Sequence, residues 1–240
     1  MNKAFSLHIL LCCTTSLYGQ SKLACYADSF NLLNTKVRDQ KIGKVKAEKL
    51  ASHYLNQISI GYRSTPVREE WYFPLAGYDQ KAIGGINGNG YLPKGYNYFD
   101  GNKHLGHPAH DIFIHDNNQD CLEDRSNKEV NVNSITSGVV VAIEKDWNPD
   151  SELRGGKYIY IYDPVAQLLY YYAHNNKIHV KVCETVHPGQ IIGTVGRSGK
   201  NAFKKRSPTH LHLMVLQTDN GHFLRPVDIY SKLKLARKSL

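Results

Sequence analysis

The residues KYIYIY (157–162) and LLYYYA (168–173) decide the fold of this chain. The first run is rich in isoleucine and tyrosine, the second is rich in leucine and tyrosine, and Asp163-Pro164 between them is a turn signal. Short apolar and aromatic runs bounded by turn residues are typical of β-strands. The stretch therefore predicts two consecutive strands, the second of which leads directly into His174.

Similar runs continue on both sides of this stretch, each bounded by turn signals such as Pro188-Gly189. The further predicted strands are Asp111–His115, Ser134–Glu144, Ile178–Val182, Gln190–Val195 and Leu211–Gln217. The amphipathic helices that separate the strands of doubly wound α/β proteins are missing from the sequence. We therefore predict a mainly β fold, an antiparallel β-sheet or flattened barrel, in a domain at 71–230 followed by a C-terminal tail at 231–240.

Residues 20–70 show a helical pattern instead. Apolar residues recur at helical spacing in two groups separated by Ile42-Gly43: Leu23, Tyr26, Phe30 and Leu33, then Val45, Leu50, Ala51, Tyr54 and Leu55. This segment predicts a small helical N-terminal extension beside the β domain. Its sequence leaves open whether it inhibits a site, recruits a partner or only packs.

Residues 1–19 have the pattern of an export signal peptide. Lys3 supplies the charge, Leu7–Thr15 is a short apolar stretch, and the small residues Ser16 and Gly19 follow. Cleavage near Gly19, or alternatively after Ser16, would release the protein to the periplasm or the extracellular space. The apolar stretch is too short to span a bilayer, and we predict no stable membrane span.

The chain has 240 residues, a formal net charge of +9 and a pI of about 9.2. This charge indicates an anionic partner or environment without choosing among nucleic acid, phospholipid and wall polymer. Basic residues interleaved with stacking aromatics, as in nucleic-acid modules, are absent from the sequence. We therefore expect no nucleic-acid partner.

Removal of the signal would leave three cysteines, Cys25, Cys121 and Cys183. An exported protein can form a disulfide, and Cys121–Cys183 is the pair to test first. The alternative is three unpaired cysteines. A cysteine-ligated zinc is disfavoured, because the sequence has no C-x-x-C spacing.

Histidine and aspartate residues at three places form a candidate metal site. These are His107-Pro108-Ala109-His110-Asp111, the lone His174, and His210-Leu211-His212. Two imidazoles and a carboxylate can hold a tetrahedral zinc ion whose fourth position stays open, as in catalytic sites. Two further imidazoles remain for proton transfer, and strand alternation directs both histidines of His210-Leu211-His212 to one side. The same alternation beside Asp111 places His110 away from the site.

The order H-x-x-x-D, a Tyr-x-His strand end and H-x-H resembles the lysostaphin/LytM-type zinc metalloendopeptidases of peptidoglycan. The resemblance covers roughly Tyr72 to Asp228 and includes Ser137-Gly138-Val139-Val140 and the stretch 186–199. It implies one zinc per chain, bound by His107, Asp111 and His212. It assigns His174 and His210 to catalysis, and it implies an antiparallel sheet with a narrow groove.

The function implied by this resemblance is hydrolysis of peptidoglycan stem peptides or cross-bridges outside the cytoplasm. Ala109, where the family more often has glycine, and the long insert 117–133 are departures that affect the groove. The alternative is a non-hydrolytic wall-binding or amidase-activating module with the same fold. The sequence leaves open which bond is cut, in D-alanyl–diaminopimelate cross-links, polyglycine bridges or a non-wall peptide.

Overall fold

The structure is a computed structural model, and it describes residues 25–62, 70–219 and 223–239. The expected signal peptide at 1–19 lies outside the described residues. The described chain contains three α-helices: α1 at 25–38, α2 at Lys44–Gly61 and α3 at Tyr230–Leu235. Two short 3₁₀ helices lie at Gln80–Ala82 and Tyr98–Lys103.

Most of the regular structure is β. The strands, in chain order, are β1 Ala109–Phe113, β2 Asn131–Asn133, β3 Gly138–Glu144, β4 Tyr158–Asp163, β5 Leu168–Ala173, β6 Asn175–Ile178, β7 Thr185–Val186, β8 Ile191–Val195, β9 His210–Gln217 and β10 Arg225–Pro226. The larger sheet has the order β1-β9-β5-β4-β3-β7, with β10 also paired to β9. The smaller sheet has the order β2-β8-β6, and all these strand pairs are antiparallel.

The larger sheet is covered on both faces, which explains why its strands are apolar almost throughout. One face packs against α1 and α2, with Phe30 and Leu55 buried against residues such as Leu169. The other face packs against the smaller sheet, where Ile161 and Leu211 are fully buried. The predicted mainly β, antiparallel fold with an N-terminal helical extension is therefore confirmed, as open sheets and not as a closed barrel.

The predicted strand Ile178–Val182 is wrong in position. The chain leaves β5 at His174, which has a positive φ of 66°, and enters β6 at the next residue. Because β6 belongs to the smaller sheet, the left-handed turn at His174 carries the chain from one sheet to the other. Strand propensity predicted a strand after His174. It did not predict the turn at His174, which makes β6 begin at Asn175.

The C-terminal segment packs against the start of the β domain. The backbone N–H of Arg237 donates to the carbonyl of Trp71, and the Arg237 carbonyl accepts from Phe73, both at 2.7 Å. The Ser239 hydroxyl also donates to the Phe73 carbonyl at 2.9 Å. The segment expected as a tail is thus attached to the domain by main-chain pairing.

The predicted pair Cys121–Cys183 does not form a disulfide, because all three described cysteines are free. Cys121 lies in the loop after β1, where its backbone N–H donates to Asp116. Cys183 lies in the turn before β7 and packs with the residues that contact the N-terminal helices. The two cysteines lie in different loops of the fold, a placement that their positions in the sequence did not reveal.

Among the described residues, none of the helices has the length and apolar character needed to cross a membrane.

The buried face of α1 predicts that this helix is part of the folded domain. Phe30 is 0% exposed and Leu32 is 63% exposed on the same helix. We expect Phe30→Ala to lower the free energy of unfolding by about 3–5 kcal/mol, whereas Leu32→Ala, the matched control, should change it by about 0.5 kcal/mol or less. Urea unfolding followed by circular dichroism measures both. Equal effects of the two substitutions would show that α1 does not contribute to the core.

Candidate metal centre

Three neighbouring strands bring the candidate residues together. In the pairing of β1 with β9, Asp111 is directly opposite His212. In the pairing of β5 with β9, Ala173 is opposite the same His212, and His174 follows Ala173 in the chain. The register of these two pairs therefore places Asp111, His174 and His212, which are far apart in sequence, next to one another.

Strand alternation in β9 sorts its residues between the two faces of the sheet. Leu211 is fully buried against the smaller sheet, whereas Met214 packs with the helix side. Because side chains two residues apart share a face, His210 and His212 lie on the side of Met214. The candidate site thus occupies the same face of the sheet that α1 and α2 cover.

His107 reaches the site from a loop that is paired with Leu92. The backbone of His107 donates to the Leu92 carbonyl at 2.7 Å and accepts from the Leu92 N–H at 2.8 Å. Gly106 before it has a φ of +74°, and a Cβ there would lie 2.8 Å from the Lys94 carbonyl oxygen. The His107 ring is fixed by an Nδ1–H that donates to the Gly90 carbonyl at 3.0 Å, which leaves Nε2 to face Asp111.

His107, Asp111 and His212 form a compact cluster whose potential ligand atoms all lie within 4.8 Å of one another. His107 Nε2 is 3.2 Å from Asp111 Oδ2, and His212 Nδ1 is 2.9 Å from Asp111 Oδ1. Two imidazole nitrogens and one carboxylate are the donor set of a catalytic zinc site. The residues therefore fit a zinc ion, with a coordination position left for a non-protein ligand.

The charges in the cluster depend strongly on one another. Burial acts to raise the pKa of Asp111, but hydrogen bonds from His107 and His212 outweigh it and hold this pKa well below its usual range. The hydrogen bond to Asp111 raises the pKa of His107, and burial lowers the pKa of His212. Asp111 is therefore ionised, and its negative charge is available to a bound cation.

His174 and His210 lie beside this cluster as a pair. Their ring centroids are 4.9 Å apart, and the His174 ring is 5.4 Å from that of His212. His174 Nδ1 contacts the Ser198 carbonyl at 2.8 Å, and His210 Nδ1 contacts the Pro208 carbonyl at 2.7 Å. Because a carbonyl can only accept, both Nδ1 atoms carry hydrogen, and in the neutral rings both Nε2 atoms are acceptors. Burial lowers the pKa of His174 well below its usual value, which keeps that ring neutral.

His110 is not part of the cluster. Its Nε2 is 3.0 Å from Asp228 Oδ1, and its ring stacks on Tyr91 at 5.5 Å between centroids. Alternation along β1 turns His110 to the face opposite Asp111.

The cluster opens into a cavity of ≈ 230 Å³. Besides the five predicted residues, its lining includes His104, Arg154 and Tyr171, which the sequence motifs did not identify. Alternation along β5 was a usable signal for Tyr171, because its neighbours Tyr170 and Tyr172 both have the pattern of buried core residues. No comparable signal exists for Arg154, which lies in a loop.

Residues 121–226 of the chain match Peptidase family M23. The match confirms, for this stretch, the family resemblance expected from the residue pattern. It includes His174, His210 and His212, whereas His107 and Asp111 lie before it. No curated protein matches the chain.

Several solved structures are similar to this chain. A putative glycyl-glycine endopeptidase from Ruminococcus gnavus is 21% identical, with 93% of this chain and 89% of that one covered and a TM-score of 0.47. A zinc-containing peptidase from Vibrio cholerae is 23% identical, with 71% of this chain and 41% of that one covered and a TM-score of 0.42. The catalytic domain of lysostaphin from Staphylococcus simulans is 27% identical, with 60% and 87% covered and a TM-score of 0.39. The chain thus spans less than half the length of the Vibrio cholerae protein.

The cluster predicts that Asp111 is needed to hold a metal ion. After dialysis against zinc and removal of free metal, we expect one zinc per chain in the wild-type protein and a small fraction of that in Asp111→Ala. The exposed His187 is the control, and His187→Ala should keep full occupancy. Elemental analysis by mass spectrometry measures all three proteins. Full zinc occupancy in Asp111→Ala would remove this carboxylate from the site.

Proposed function

We propose that this chain is an exported zinc endopeptidase that hydrolyses peptide bonds in bacterial peptidoglycan. The observation that carries the proposal is the convergence of all five expected residues, with His174 and His210 directly beside the cluster of His107, Asp111 and His212. The match of residues 121–226 to Peptidase family M23 supports it.

In the proposed site, the cluster of two histidines and Asp111 holds the metal and leaves one position free. Zinc bound there would lower the pKa of a water molecule to about 7 and polarise the peptide carbonyl. The protein supplies the orientation of one ligand, since Nδ1–H of His107 donates to the Gly90 carbonyl. A fixed partner on one ring nitrogen sets the direction of the other, here Nε2, which faces Asp111.

The proton transfers fall to His174 and His210. Among the described residues that line the cavity, Asp111 is the only carboxylate, and it already contacts two histidines. The Nε2 atoms of His174 and His210 are the acceptors of the neutral rings, because both Nδ1 atoms donate to main-chain carbonyls, and His210 Nε2 lies 3.8 Å from Asp111 Oδ1. One ring can therefore take up the proton of the attacking water, and an imidazolium so formed can pass it to the leaving amine.

Digestion of purified sacculi tests this function. We expect the zinc-loaded protein to release soluble muropeptides with newly exposed amino groups, identified by mass spectrometry. His210→Ala should lower the rate by ~10²-fold or more while zinc stays bound, since His210 is assigned to proton transfer and not to the metal. His187→Ala is the control and should be as active as the wild type. Zinc-loaded wild-type protein that binds sacculi without releasing fragments would indicate the non-hydrolytic alternative.

The export proposal rests on residues 1–19 of the sequence. We expect the protein purified from the periplasm or culture medium to begin near Gln20, after cleavage at Gly19. N-terminal sequencing measures this directly, and a mature protein that retains Met1 would contradict the proposal.

A further inference from the structure

A second, smaller cavity of ≈ 70 Å³ adjoins the metal centre on the side of the N-terminal helices. The two cavities share the lining residues His104, Arg154, Gly155, Tyr171 and His212. The far wall consists of residues of α1 and of tyrosine rings from the 3₁₀ segment and the sheet: Asn34, Val37, Arg38, Tyr98, Tyr158 and Tyr160. Its volume is enough for a group of a few heavy atoms.

Arg154 is held rigidly at the junction of the two cavities. Its backbone N–H donates to Asn102 Oδ1 at 2.9 Å, and the carbonyl of the following Gly155 accepts from the His174 N–H at 3.0 Å. Its side chain is fixed by Nη1, which donates to the His104 carbonyl at 2.6 Å. The backbone around Arg154 and one nitrogen of its guanidinium are therefore held in place, and the side chain lines the same cavity as His174 and His210.

The positive charge of Arg154 has no partner of opposite charge among the described residues. A guanidinium carries five N–H donors, and the contact with the His104 carbonyl is the one side-chain hydrogen bond that Arg154 makes within the described chain. By contrast, Arg38 across the smaller cavity is paired with Asp39 and Glu144. Burial and the charge of Arg154 lower the pKa of His104 to about 4, so this histidine stays neutral and leaves Arg154 as the local cation.

The Asp111 carboxylate does not neutralise the positive charge of Arg154. Asp111 is the only acidic residue lining either cavity within the described chain, and both its oxygens already contact His107 and His212. A partly buried guanidinium with free donors, next to a site for peptide hydrolysis, is suited to a carboxylate supplied by the substrate.

We propose that Arg154 binds a free carboxylate of the substrate close to the scissile bond. This inference rests on the proposed function and names its substrate class. Cross-links of the D-alanyl–diaminopimelate type carry a carboxylate beside the amide that joins them, whereas a polyglycine bridge carries none. An uncharged bridge would leave the guanidinium unpaired and partly desolvated, which disfavours its binding.

Three synthetic substrates test the proposal with the zinc-loaded full-length mature protein. These are a peptide with a D-alanyl–diaminopimelate cross-link, the same peptide with that carboxylate converted to a carboxamide, and a pentaglycine peptide. We expect wild-type kcat/KM to be ~10- to 100-fold higher for the carboxylate than for the carboxamide, the range for one charge-assisted hydrogen bond. Pentaglycine should be cleaved no faster than the carboxamide.

The matched variants distinguish loss of carboxylate recognition from general damage to the structure. Arg154→Gln should lose the 10- to 100-fold preference, because its rate on the carboxylate peptide should fall much further than its rate on the carboxamide. Arg154→Lys should recover part of the preference, because it keeps the charge but not the planar fork of donors. Arg206→Gln removes a charge of the same type from an exposed loop position and should keep the full preference. Equal losses on both peptides in Arg154→Gln, or a wild-type enzyme that does not distinguish them, would overturn the proposal.

A binding measurement distinguishes failure of the Arg154 proposal from failure of the proposed hydrolysis. If the zinc-loaded wild type cleaves none of the peptides and no sacculi, the proposed hydrolysis is wrong. Titration calorimetry with the carboxylate and carboxamide peptides then tests Arg154 directly. Tighter binding of the carboxylate that disappears in Arg154→Gln supports the inference without hydrolysis, and equal binding of both peptides overturns it.

Discussion

The antiparallel register between β1 and β9 is the constraint on which the rest of the site depends. It places Asp111 opposite His212, and the register of β9 with β5 brings His174 to the same place. Because side chains alternate along a strand, a slip of one residue would move His210 and His212 into the core between the sheets. The same slip would turn Leu211, which is now fully buried between the sheets, to the face that carries the polar cluster. Core packing thus fixes the register, and the register fixes the site.

The Asp111 carboxylate connects the fold with the electrostatics of the site. A buried charge needs partners to be tolerated, and here two histidine rings provide them at 2.9 and 3.2 Å. The rings themselves are held by the Gly90 carbonyl and by the strand pairing of His212. A cation in the cluster would replace protons shared among these groups, so metal binding and protonation compete for the same atoms.

The N-terminal helices cover the face of the sheet that carries the cluster of His107, Asp111 and His212. Asn34 in α1 donates to the Tyr158 hydroxyl at 2.9 Å and accepts from the Tyr98 hydroxyl at 2.8 Å. These buried hydrogen bonds join α1 to the sheet and to the 3₁₀ segment. The helical segment therefore forms a wall of the smaller cavity beside the candidate metal centre, and Arg154 lines both cavities.

The amino-acid sequence by itself determined the strand content and the identity of the clustered residues. Apolar runs and their turn signals gave β5 with its observed bounds, since a buried strand must be apolar over its length. The tertiary structure decided what local pattern cannot encode, because pairing partners are distant in sequence. It placed the strand after His174 at Asn175–Ile178, left Cys121 and Cys183 unbonded, and brought the loop residue Arg154 to the cavity of the candidate metal centre. A loop residue acquires its surroundings only from elements that pack around it, so its role became visible only in the folded chain.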